Sequence, residues 1–343
     1  MSFAFGFADD DIDDPSVPEQ VQTNPLDAAD GSHVPELVSF ERILTSLKDV
    51  RITFDNYITP KGNIVYRREL FDVKHQAMSE DTATSMGSIL LGDEKDVDLK
   101  QNVYEGGFKS WECSYDAVDH VAVTMDLSLP QSMLELGCGT ALPTCFVLRR
   151  YLEEMSSQKD TDVKPSCFVL TDFNYDVLRL VTVPNLVVHW ASTIPPQRLH
   201  MLCSGEDGPP LQNDEIIITQ QLISAIIADF ASKKITVSLV SGGWNRTFLN
   251  IAKSFGIETL ITSETIYSPQ SLPLVAELIL GLMSSEPICS RAVVAAKSIY
   301  FGVGGSVTEF VNYLETRRPQ HIQLSRTEVG ESQLKRVIID ISS

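Results

Sequence analysis

Short apolar runs alternate with amphipathic segments along most of this chain. Seven runs predict strands, at Met133–Leu136, Cys167–Thr171, Ile235–Val240, Thr259–Thr262, Arg291–Ala296, Ile322–Thr327 and Arg336–Ser342. Helical patterns separate the first six runs, at Ala141–Glu154, Tyr175–Leu180, Glu215–Ala231, Arg246–Phe255, Ser271–Met283 and Val307–Leu314. Strands that are buried on both faces and joined by helices form a doubly wound sheet. We therefore predict an α/β fold with a seven-stranded, mostly parallel sheet. It should end in an antiparallel C-terminal hairpin, because no helix separates the last two runs.

The first 100 residues lack this regular alternation. Residues 1–30 contain eight Asp or Glu, three Pro and no Lys or Arg, so residues 1–35 are expected to form a largely disordered acidic tail. Residues 36–100 are predicted to be an N-terminal extension packed on the core. Its expected elements are a helix at Leu37–Leu47, extended segments at Val50–Phe54 and Ile64–Leu70, and a polar loop at 77–97. Residues 101–343 form the predicted α/β domain, in which the Pro-containing region 191–234 is interpreted as an insertion.

The composition is typical of a soluble globular protein, with 43% hydrophobic and 21% charged residues. No stretch reaches the roughly 18 uninterrupted apolar residues of a membrane helix. The N-terminal sequence also lacks the basic start and apolar core of a secretory signal. Six cysteines are present without a C-x-x-C pair. We therefore expect free thiols in a reducing compartment, no disulfide framework and no metal site.

The chain is strongly acidic, with a formal net charge of −19 from 46 acidic and 27 basic residues. Such a surface repels the phosphate backbone, so direct binding of nucleic acid is disfavoured. It attracts a basic protein partner and accelerates the encounter at low salt. The alternative is that the acidity serves only solubility, since charge alone identifies no partner.

One stretch, Ser132–Pro143, carries the strongest functional signal. Its apolar run breaks into a Gly137-Cys138-Gly139 turn and continues as helix-compatible sequence. A buried strand, a tight glycine turn and a helix N-terminus in this order form a nucleotide- or cofactor-binding crossover. A dinucleotide fingerprint requires G-x-G-x-x-G, but Leu142 occupies the third glycine position, so a nicotinamide enzyme is disfavoured.

The next two strands also end in residues suited to a ligand. Asp172 follows the second strand, where a carboxylate accepts hydrogen bonds from ribose hydroxyls, although it would equally cap the following helix. Asn174 or the nearby backbone is placed to contact an adenine edge. The third strand leads into Ser241-Gly-Gly-Trp244, where the glycines permit close approach of a ligand and the indole offers a wall for adenine. The alternative is a turn with a core tryptophan.

Two further segments are of interest. Thr262–Tyr267 follows the fourth strand and carries Glu264 and Tyr267 three residues apart, at the sheet edge where α/β sites form. Upstream, Gly106-Gly107 precedes Trp111 and Glu112, an aromatic ring beside a carboxylate, which is suited to covering a cationic ligand group. The alternative for this pair is a core tryptophan with a solvated glutamate.

Together, six segments resemble one family: Glu105–Cys113, Glu135–Pro143, Thr171–Asn174, Ser241–Trp244, Thr262–Tyr267 and Lys297–Gly305. They are similar to the Rossmann-like, S-adenosylmethionine-dependent protein-histidine methyltransferases of fungi and animals, which modify a large-subunit ribosomal protein of the L-three type. The similarity covers about residues 36–343, and the Ser-Phe-x-Phe-Gly-Phe start resembles fungal members. Lysine methyltransferases share single motifs, whereas Ser110–Cys113 and Tyr300–Gly305 make the resemblance specific.

The resemblance implies methylation of the tele nitrogen of one histidine, with S-adenosylhomocysteine as the product. It also implies a set of cofactor-binding residues: Ser110, Trp111, Glu112, Cys113, Ser114, Gly137, Gly139, Asp172, Phe173, Asn174, Gly242, Gly243, Trp244 and Ser263. Gly243 stands where relatives are expected to have an acidic residue, so it offers no hydrogen-bonding side chain. Residues 191–234 carry nothing over from the family.

Glu264 and Tyr267 are the predicted catalytic residues. A neutral imidazole has the attacking lone pair, and with a pKa near ~6.5 it is mostly neutral at physiological pH. The enzyme therefore needs alignment more than a strong base. Our hypothesis is that Glu264 or Tyr267 fixes the tautomer by bonding the other ring nitrogen.

The resemblance also implies a setting for the protein. We expect a monomer in the cytoplasm and nucleus that acts on a basic ribosomal protein and is linked to ribosome biogenesis and translation. Two alternatives remain at this point. One is a lysine-directed protein methyltransferase of the same fold, and the other is a non-catalytic ribosome assembly factor that keeps affinity for the cofactor.

Overall fold

The computed structural model describes residues 23–29, 31, 33–80, 106–157, 164–205, 211–212, 214–286, 289–330 and 335–343. Most of the predicted acidic tail, the polar loop beyond residue 80 and Glu105 lie outside the described residues. No helix in these ranges is long and apolar enough to cross a membrane.

The described residues contain eleven strands. These are β1 (Glu36–Val38), β2 (Arg51–Ile58), β3 (Ile64–Arg68), β4 (Ser132–Leu136), β5 (Ser166–Asp172), β6 (Glu215–Ile217), β7 (Ile235–Ser241), β8 (Thr259–Ser263), β9 (Arg291–Lys297), β10 (Gln323–Val329) and β11 (Arg336–Ser342). Each of the seven predicted strands corresponds to one of them.

Helices cover both faces of the main sheet. In chain order they are α1 (Pro25–Ala28), α2 (Phe40–Ser46), α3 (Leu70–Ser79), α4 (Glu112–Thr124), α5 (Leu142–Ser157), α6 (175–191), α7 (Pro196–Ser204), α8 (Gln220–Ser232), α9 (Arg246–Lys253), α10 (Ser271–Met283) and α11 (Val307–Arg317). Two large clusters of buried apolar side chains pack between the sheet and these helices.

The main sheet has eight strands in the order β1-β7-β5-β4-β8-β9-β11-β10. The five central strands, β7, β5, β4, β8 and β9, are parallel, and β11 and β10 form an antiparallel hairpin at one edge. This arrangement confirms the predicted doubly wound α/β fold. The eighth strand, β1, comes from the N-terminal extension and pairs antiparallel with β7.

The structure corrects three predicted helices. The helix predicted at Leu37–Leu47 begins with β1 and is helical only from Phe40, because Ser39 caps it by accepting from Arg42 N. The helix predicted at Glu215–Ala231 begins with β6, which joins β2 and β3 in a separate three-stranded sheet. Both strands have three residues and are fixed by distant pairing, so neither has a periodic pattern of its own.

The third correction concerns α6, which is much longer than the predicted Tyr175–Leu180. It is α-helical at Tyr175–Val177, π-helical at Leu178–Thr182 and α-helical again at Val183–Ala191. Pro184 suggests a break in the sequence, but it lies just after the π-helical segment, and Leu180 O, four residues before it, accepts from Arg68 Nη1 at 2.8 Å instead.

A buried histidine fastens the N-terminal extension to the α/β core. His189 of α6 hydrogen-bonds through Nδ1 to Asn185 O at 2.7 Å, and its Nε2 accepts from Tyr66 N of β3 at 3.2 Å. Asn185 Oδ1 accepts from Arg68 N at 2.7 Å. Burial lowers the pKa of His189 to about 3. The imidazole is therefore neutral at pH 7 when it binds the extension.

Because His189 is buried in its neutral form, the folded protein should lose stability as the pH falls. Because the pKa of His189 is lower in the folded chain than the usual 6.5, its contribution is complete above pH 6.5 and is lost as the pH falls toward 3. Between pH 7 and pH 5.5 the free energy of unfolding of the wild type should fall by about 1 kcal/mol more than that of His189→Gln. Urea unfolding at the two pH values measures the difference.

The exposed His75 on α3 supplies a matched control. His75→Gln should show the same fall in unfolding free energy as the wild type. An equal fall in wild type and His189→Gln would contradict the role assigned to His189.

Candidate active site

The five parallel strands end at one edge of the sheet, and each contributes a residue there. Gly137 follows β4, Asp172 ends β5, Gly242 follows β7, Glu264 follows β8 and Lys297 ends β9. The chain places β5 and β7 on one side of β4 and β8 and β9 on the other. Ligands of open α/β sheets bind at the carboxyl edge where the strand order reverses in this way.

The turn after β4 is built from residues in the left-handed region. Gly137 has a φ of +62° and Gly139 a φ of +49°. A Cβ at Gly137 would lie 2.7 Å from Thr265 Cγ2 and 3.2 Å from the Trp244 ring. Glycine is therefore required at Gly137 both by the backbone and by the close packing of neighbouring segments.

Glu135, inside β4, holds the helix that follows the turn. Its Oε2 accepts from Thr144 N in the first turn of α5 at 3.0 Å. Complete burial raises the pKa of Glu135 to about 7. Glu135 therefore fixes the N-terminus of α5 from inside the core. Because it is completely buried, it does not face the surface of the sheet edge.

Asp172 joins the turns after β4 and β5. Its buried carboxylate accepts from Gly139 N through Oδ2 and from Asn174 N through Oδ1, both at 3.0 Å. Asn174 is itself the N-cap position of α6, so Asp172 does not cap this helix. The carboxylate thus lies at the end of β5, the position predicted to accept hydrogen bonds from ribose hydroxyls.

The glycine pair after β7 is in close contact with the N-terminal segment. Gly242 has a φ of +126°, and a Cβ there would lie 2.6 Å from Pro35 Cα. Gly243 N donates to His33 O at 2.9 Å, and the His33 ring lies 4.5 Å from that of Phe173. The close approach that we predicted for a ligand is made here by residues 33–35.

The position of this segment differs from the predicted boundary of the disordered tail at residue 35. Leu26 of α1 is fully buried in the core cluster that contains α10. Asp27 forms a bidentate pair with Arg246, with both distances 2.8 Å. These contacts could not be predicted from the acidic composition, because they depend on one buried leucine and on one arginine that is distant in the sequence.

Trp244 lies across the ends of β7 and β4. It packs against the core cluster that contains α10, and its ring lies close to Gly137. Its Nε1 is buried and has no hydrogen-bond partner within the described part of the chain. Buried donors without partners are uncommon. The indole is thus partly a core residue and also presents a donor suited to a ligand acceptor atom.

The segment before α4 covers the glycine turn. A Cβ at Gly139 would lie 3.3 Å from Gly107 O, and Trp111 Nε1 donates to Gly106 O at 3.0 Å. Ser110 Oγ donates to Thr140 Oγ1 at 3.1 Å, and Ser114 Oγ donates to Trp111 O at 2.7 Å. Gly107 and Ser110 therefore lie against the turn after β4, and the predicted residues up to Ser114 follow directly in the chain.

A charged cluster connects this segment with β8 and β9. Lys297 Nζ lies 3.0 Å from Glu112 Oε2, 3.7 Å from Glu264 Oε1 and 5.1 Å from the centre of the Trp111 ring. Burial alone lowers the pKa of Lys297, but Glu264 and Glu112 outweigh it and raise the pKa above the usual value. Sequence reasoning assigned no role to Lys297, although its position at the end of a parallel strand was the available signal.

Glu264 has the most unusual conformation in this cluster. Its φ is +59°, and its side chain is only 7% exposed. Oε1 accepts from Cys113 N at 3.4 Å, whereas Oε2 is buried without a hydrogen-bond partner among the described residues. A non-glycine residue held in this region stores strain, which is a feature of functional sites. The carboxylate is therefore fixed on one side by Cys113 N and Lys297, and the Cys113 thiol and the Tyr300 hydroxyl also lie beside it.

Buried groups with raised pKa values surround this carboxylate. Burial and then the charge of Glu264 raise the pKa of the Cys113 thiol and of the Tyr300 hydroxyl. Both groups consequently stay protonated at neutral pH. Tyr300, like Lys297, was not predicted as a site residue.

Tyr267 is half-buried and lies where β8 leads toward α10. Its carbonyl accepts from Gly305 N at 2.8 Å, and a Cβ at Gly305 would lie 2.2 Å from Ile266 O. The segment Lys297–Gly305 is thus packed onto the segment that carries Glu264 and Tyr267. Ser263, at the end of β8, is partly buried in the same region.

Sequence similarity to known proteins shows the family of this chain. Histidine protein methyltransferase 1 of Saccharomyces cerevisiae is 41% identical over all of this chain and 99% of its own length. The chain belongs to this family. The Schizosaccharomyces pombe protein of the same name is 29% identical over 91% of the chain and 85% of itself. The rat homolog is 28% identical over 71% of the chain and 59% of itself.

The comparisons with family models and with solved structures do not identify the function. No family model matches the chain. A solved structure of a putative RNA methyltransferase from Pyrococcus horikoshii aligns with 79% of this chain and 96% of its own, at 11% identity and a TM-score of 0.34. This likeness is too distant to bear on function.

Membership of the family makes this chain a methyltransferase with S-adenosylmethionine as its methyl donor, as we predicted from the motifs. The site fits this cofactor. The Asp172 carboxylate is fixed at the end of β5 by two main-chain N–H groups, and Trp244 offers a buried donor that has no partner among the described residues. The individual cofactor-binding and catalytic residues remain predictions, which the geometry brings together at one edge of the sheet. His, Cys, Asp and Glu side chains in the described ranges form no metal-binding group of three.

Proposed function

We propose that this methyltransferase acts on the tele nitrogen, Nε2, of one histidine in a large-subunit ribosomal protein. The observation that carries the proposal is the Glu264 carboxylate, which is buried next to the reversal of strand order, with Oε1 engaged and Oε2 making no geometric hydrogen bond among the described residues. The net charge of −19 supports a basic protein substrate. Action in the cytoplasm and nucleus, linked to ribosome biogenesis and translation, belongs to the same proposal.

The residues around the glycine turn would hold the cofactor. Asp172 accepts the ribose hydroxyls, and Phe173, Asn174 and Trp244 surround the adenine. Trp111 lies on the opposite side of the turn, with the Lys297 ammonium against one face of its ring. When bound, S-adenosylmethionine supplies an electrophilic methyl group on a sulfonium.

Glu264 orients the acceptor ring. An imidazole with the usual pKa near ~6.5 is mostly neutral at pH 7, and its proton then resides on one of the two nitrogens. Glu264 Oε2 accepts the Nδ1–H, which selects the tautomer with the lone pair on Nε2. Methylation at Nε2 makes the ring cationic, and the adjacent carboxylate stabilises this charge until the Nδ1 proton is lost to solvent.

Lys297 and Cys113 keep the carboxylate in this orientation. Both contact Oε1, so Oε2 is the oxygen left for the imidazole. Lys297 also balances the charges of Glu264 and Glu112, which lowers the cost of keeping a carboxylate at a buried position. Lys297 is therefore a positioning residue in this scheme. Tyr267 remains the second candidate for the contact with the ring.

The orienting role predicts a rate effect without loss of cofactor. Glu264→Gln should lower kcat by about 100-fold, because the amide removes the negative charge that stabilises the cationic ring. Tyr267→Phe should have a smaller effect. Steady-state rates with protein substrate give kcat, and calorimetric titration with S-adenosylmethionine should show an unchanged affinity. Wild-type rates in both variants with cofactor binding intact would contradict the hypothesis.

Locating the transferred methyl group tests the substrate. The protein is incubated with methyl-labelled S-adenosylmethionine and salt-extracted large-subunit proteins, and the labelled residue is found by tandem mass spectrometry. Acid hydrolysis and comparison with both methylhistidine standards identifies the nitrogen. We expect one labelled histidine in a basic protein, methylated at Nε2.

The other outcomes separate the alternatives. Label on lysine would overturn the histidine assignment and favour a lysine methyltransferase of the same fold. Binding of a ribosomal protein without any transfer would favour a non-catalytic assembly factor.

A further inference from the structure

A tight hairpin of residues 298–306 projects from the active-site edge of the sheet. Ile299 and Ser306 pair as an antiparallel bridge. Tyr300 N donates to Gly305 O at 2.9 Å, and Gly304 N donates to Tyr300 O at 3.0 Å. The hairpin is therefore a hydrogen-bonded unit with a defined shape.

The outward face of the 298–306 hairpin is apolar. Ile299, Phe301 and Val303 are 51%, 75% and 41% exposed, respectively. Tyr300, between Ile299 and Phe301, is instead partly buried against the core cluster that contains α10. Each exposed side chain gains about 1.5–3 kcal/mol when it is fully buried, so a cluster of three is costly to leave in water and marks a contact surface.

The base of the hairpin is attached to the predicted catalytic residues. Gly305 N donates to Tyr267 O at 2.8 Å, and the Tyr300 hydroxyl accepts from Lys297 N at 3.3 Å. The charge of Glu264 acts on the same hydroxyl. A polypeptide that places a side chain next to Glu264 would consequently pass close to the hairpin.

The charges at this base favour one kind of polypeptide. The exposed Glu309 accepts from Ser306 Oγ at 2.9 Å, and the 60% exposed Glu112 is paired with Lys297 at 3.0 Å. Residues 298–309 contain no Lys or Arg. An apolar tip with the exposed Glu309 at its base, on a chain with a net charge of −19, is complementary to a basic segment that carries an apolar side chain.

We propose that the 298–306 hairpin is the docking surface for the protein substrate, and that Phe301 packs on an apolar side chain beside the acceptor histidine in a basic segment. This inference rests on the proposed function in one respect, that the acceptor lies in a basic protein. The hairpin then selects the substrate by contacts outside the reacting ring, while Glu264 aligns the ring itself.

The kinetic test uses Phe301→Ala with salt-extracted large-subunit proteins as the substrate. The apparent KM for these proteins should rise about tenfold, which corresponds to the loss of one central apolar contact. The kcat and the affinity for S-adenosylmethionine should stay within about twofold of wild type. Phe301→Leu should recover most of the loss. An unchanged KM in Phe301→Ala would overturn the proposal.

Leu129 gives a matched control. It is 55% exposed and lies three residues before β4, at the edge of the sheet opposite to the active site. Leu129→Ala should behave as the wild type in every measurement. A similar rise in KM in both variants would also overturn the specific role of the hairpin.

A photo-crosslinking amino acid at position 301 separates this inference from the proposed function. With the same large-subunit proteins, the variant should form an adduct with a basic protein, and a variant substituted at position 129 should not. An adduct without methyl transfer would retain the docking surface and reject the proposed function. Transfer without an adduct, or an adduct only with a second copy of this chain, would reject the docking surface.

Discussion

The parallel pairing of five buried strands is the constraint on which the site depends. Because β7, β5, β4, β8 and β9 run in the same direction, their polar endings are gathered at one edge. Apolar side chains hold the strands together. The polar and glycine residues Gly137, Asp172 and Glu264 lie at or directly after the ends of β4, β5 and β8. Asp172 and Glu264 therefore lie on opposite sides of β4.

Two carboxylates link these two sides in different ways. Asp172 is engaged by main-chain N–H groups and fixes the turns that would surround the cofactor. Glu264 is held by Lys297 and by Cys113 N, so the segment before α4 and the end of β9 determine its orientation. The strained backbone at Glu264 is maintained by the main-chain bond to Ala295 O and by the packing of Gly305 beyond it.

Much of this architecture follows from local sequence. The apolar runs predicted the seven strands, and the Gly137-Cys138-Gly139 turn and Asp172 predicted a cofactor site. Other features depend on pairing between distant residues. β1 and β6 are too short for a pattern, and His33 reaches Phe173 only because its segment crosses the ends of β5 and β7. The role of Lys297 became visible only when Glu112, Trp111 and Glu264 were found around it.

A crystal structure with S-adenosylhomocysteine bound would show both carboxylates beside the ligand. The ribose hydroxyls should lie about 3 Å from the Asp172 carboxylate oxygens, within hydrogen-bond distance. The sulfur should face Glu264 Oε2 across a gap that admits one imidazole ring. A ribose bound away from Asp172, or a sulfur turned away from Glu264, would contradict the account.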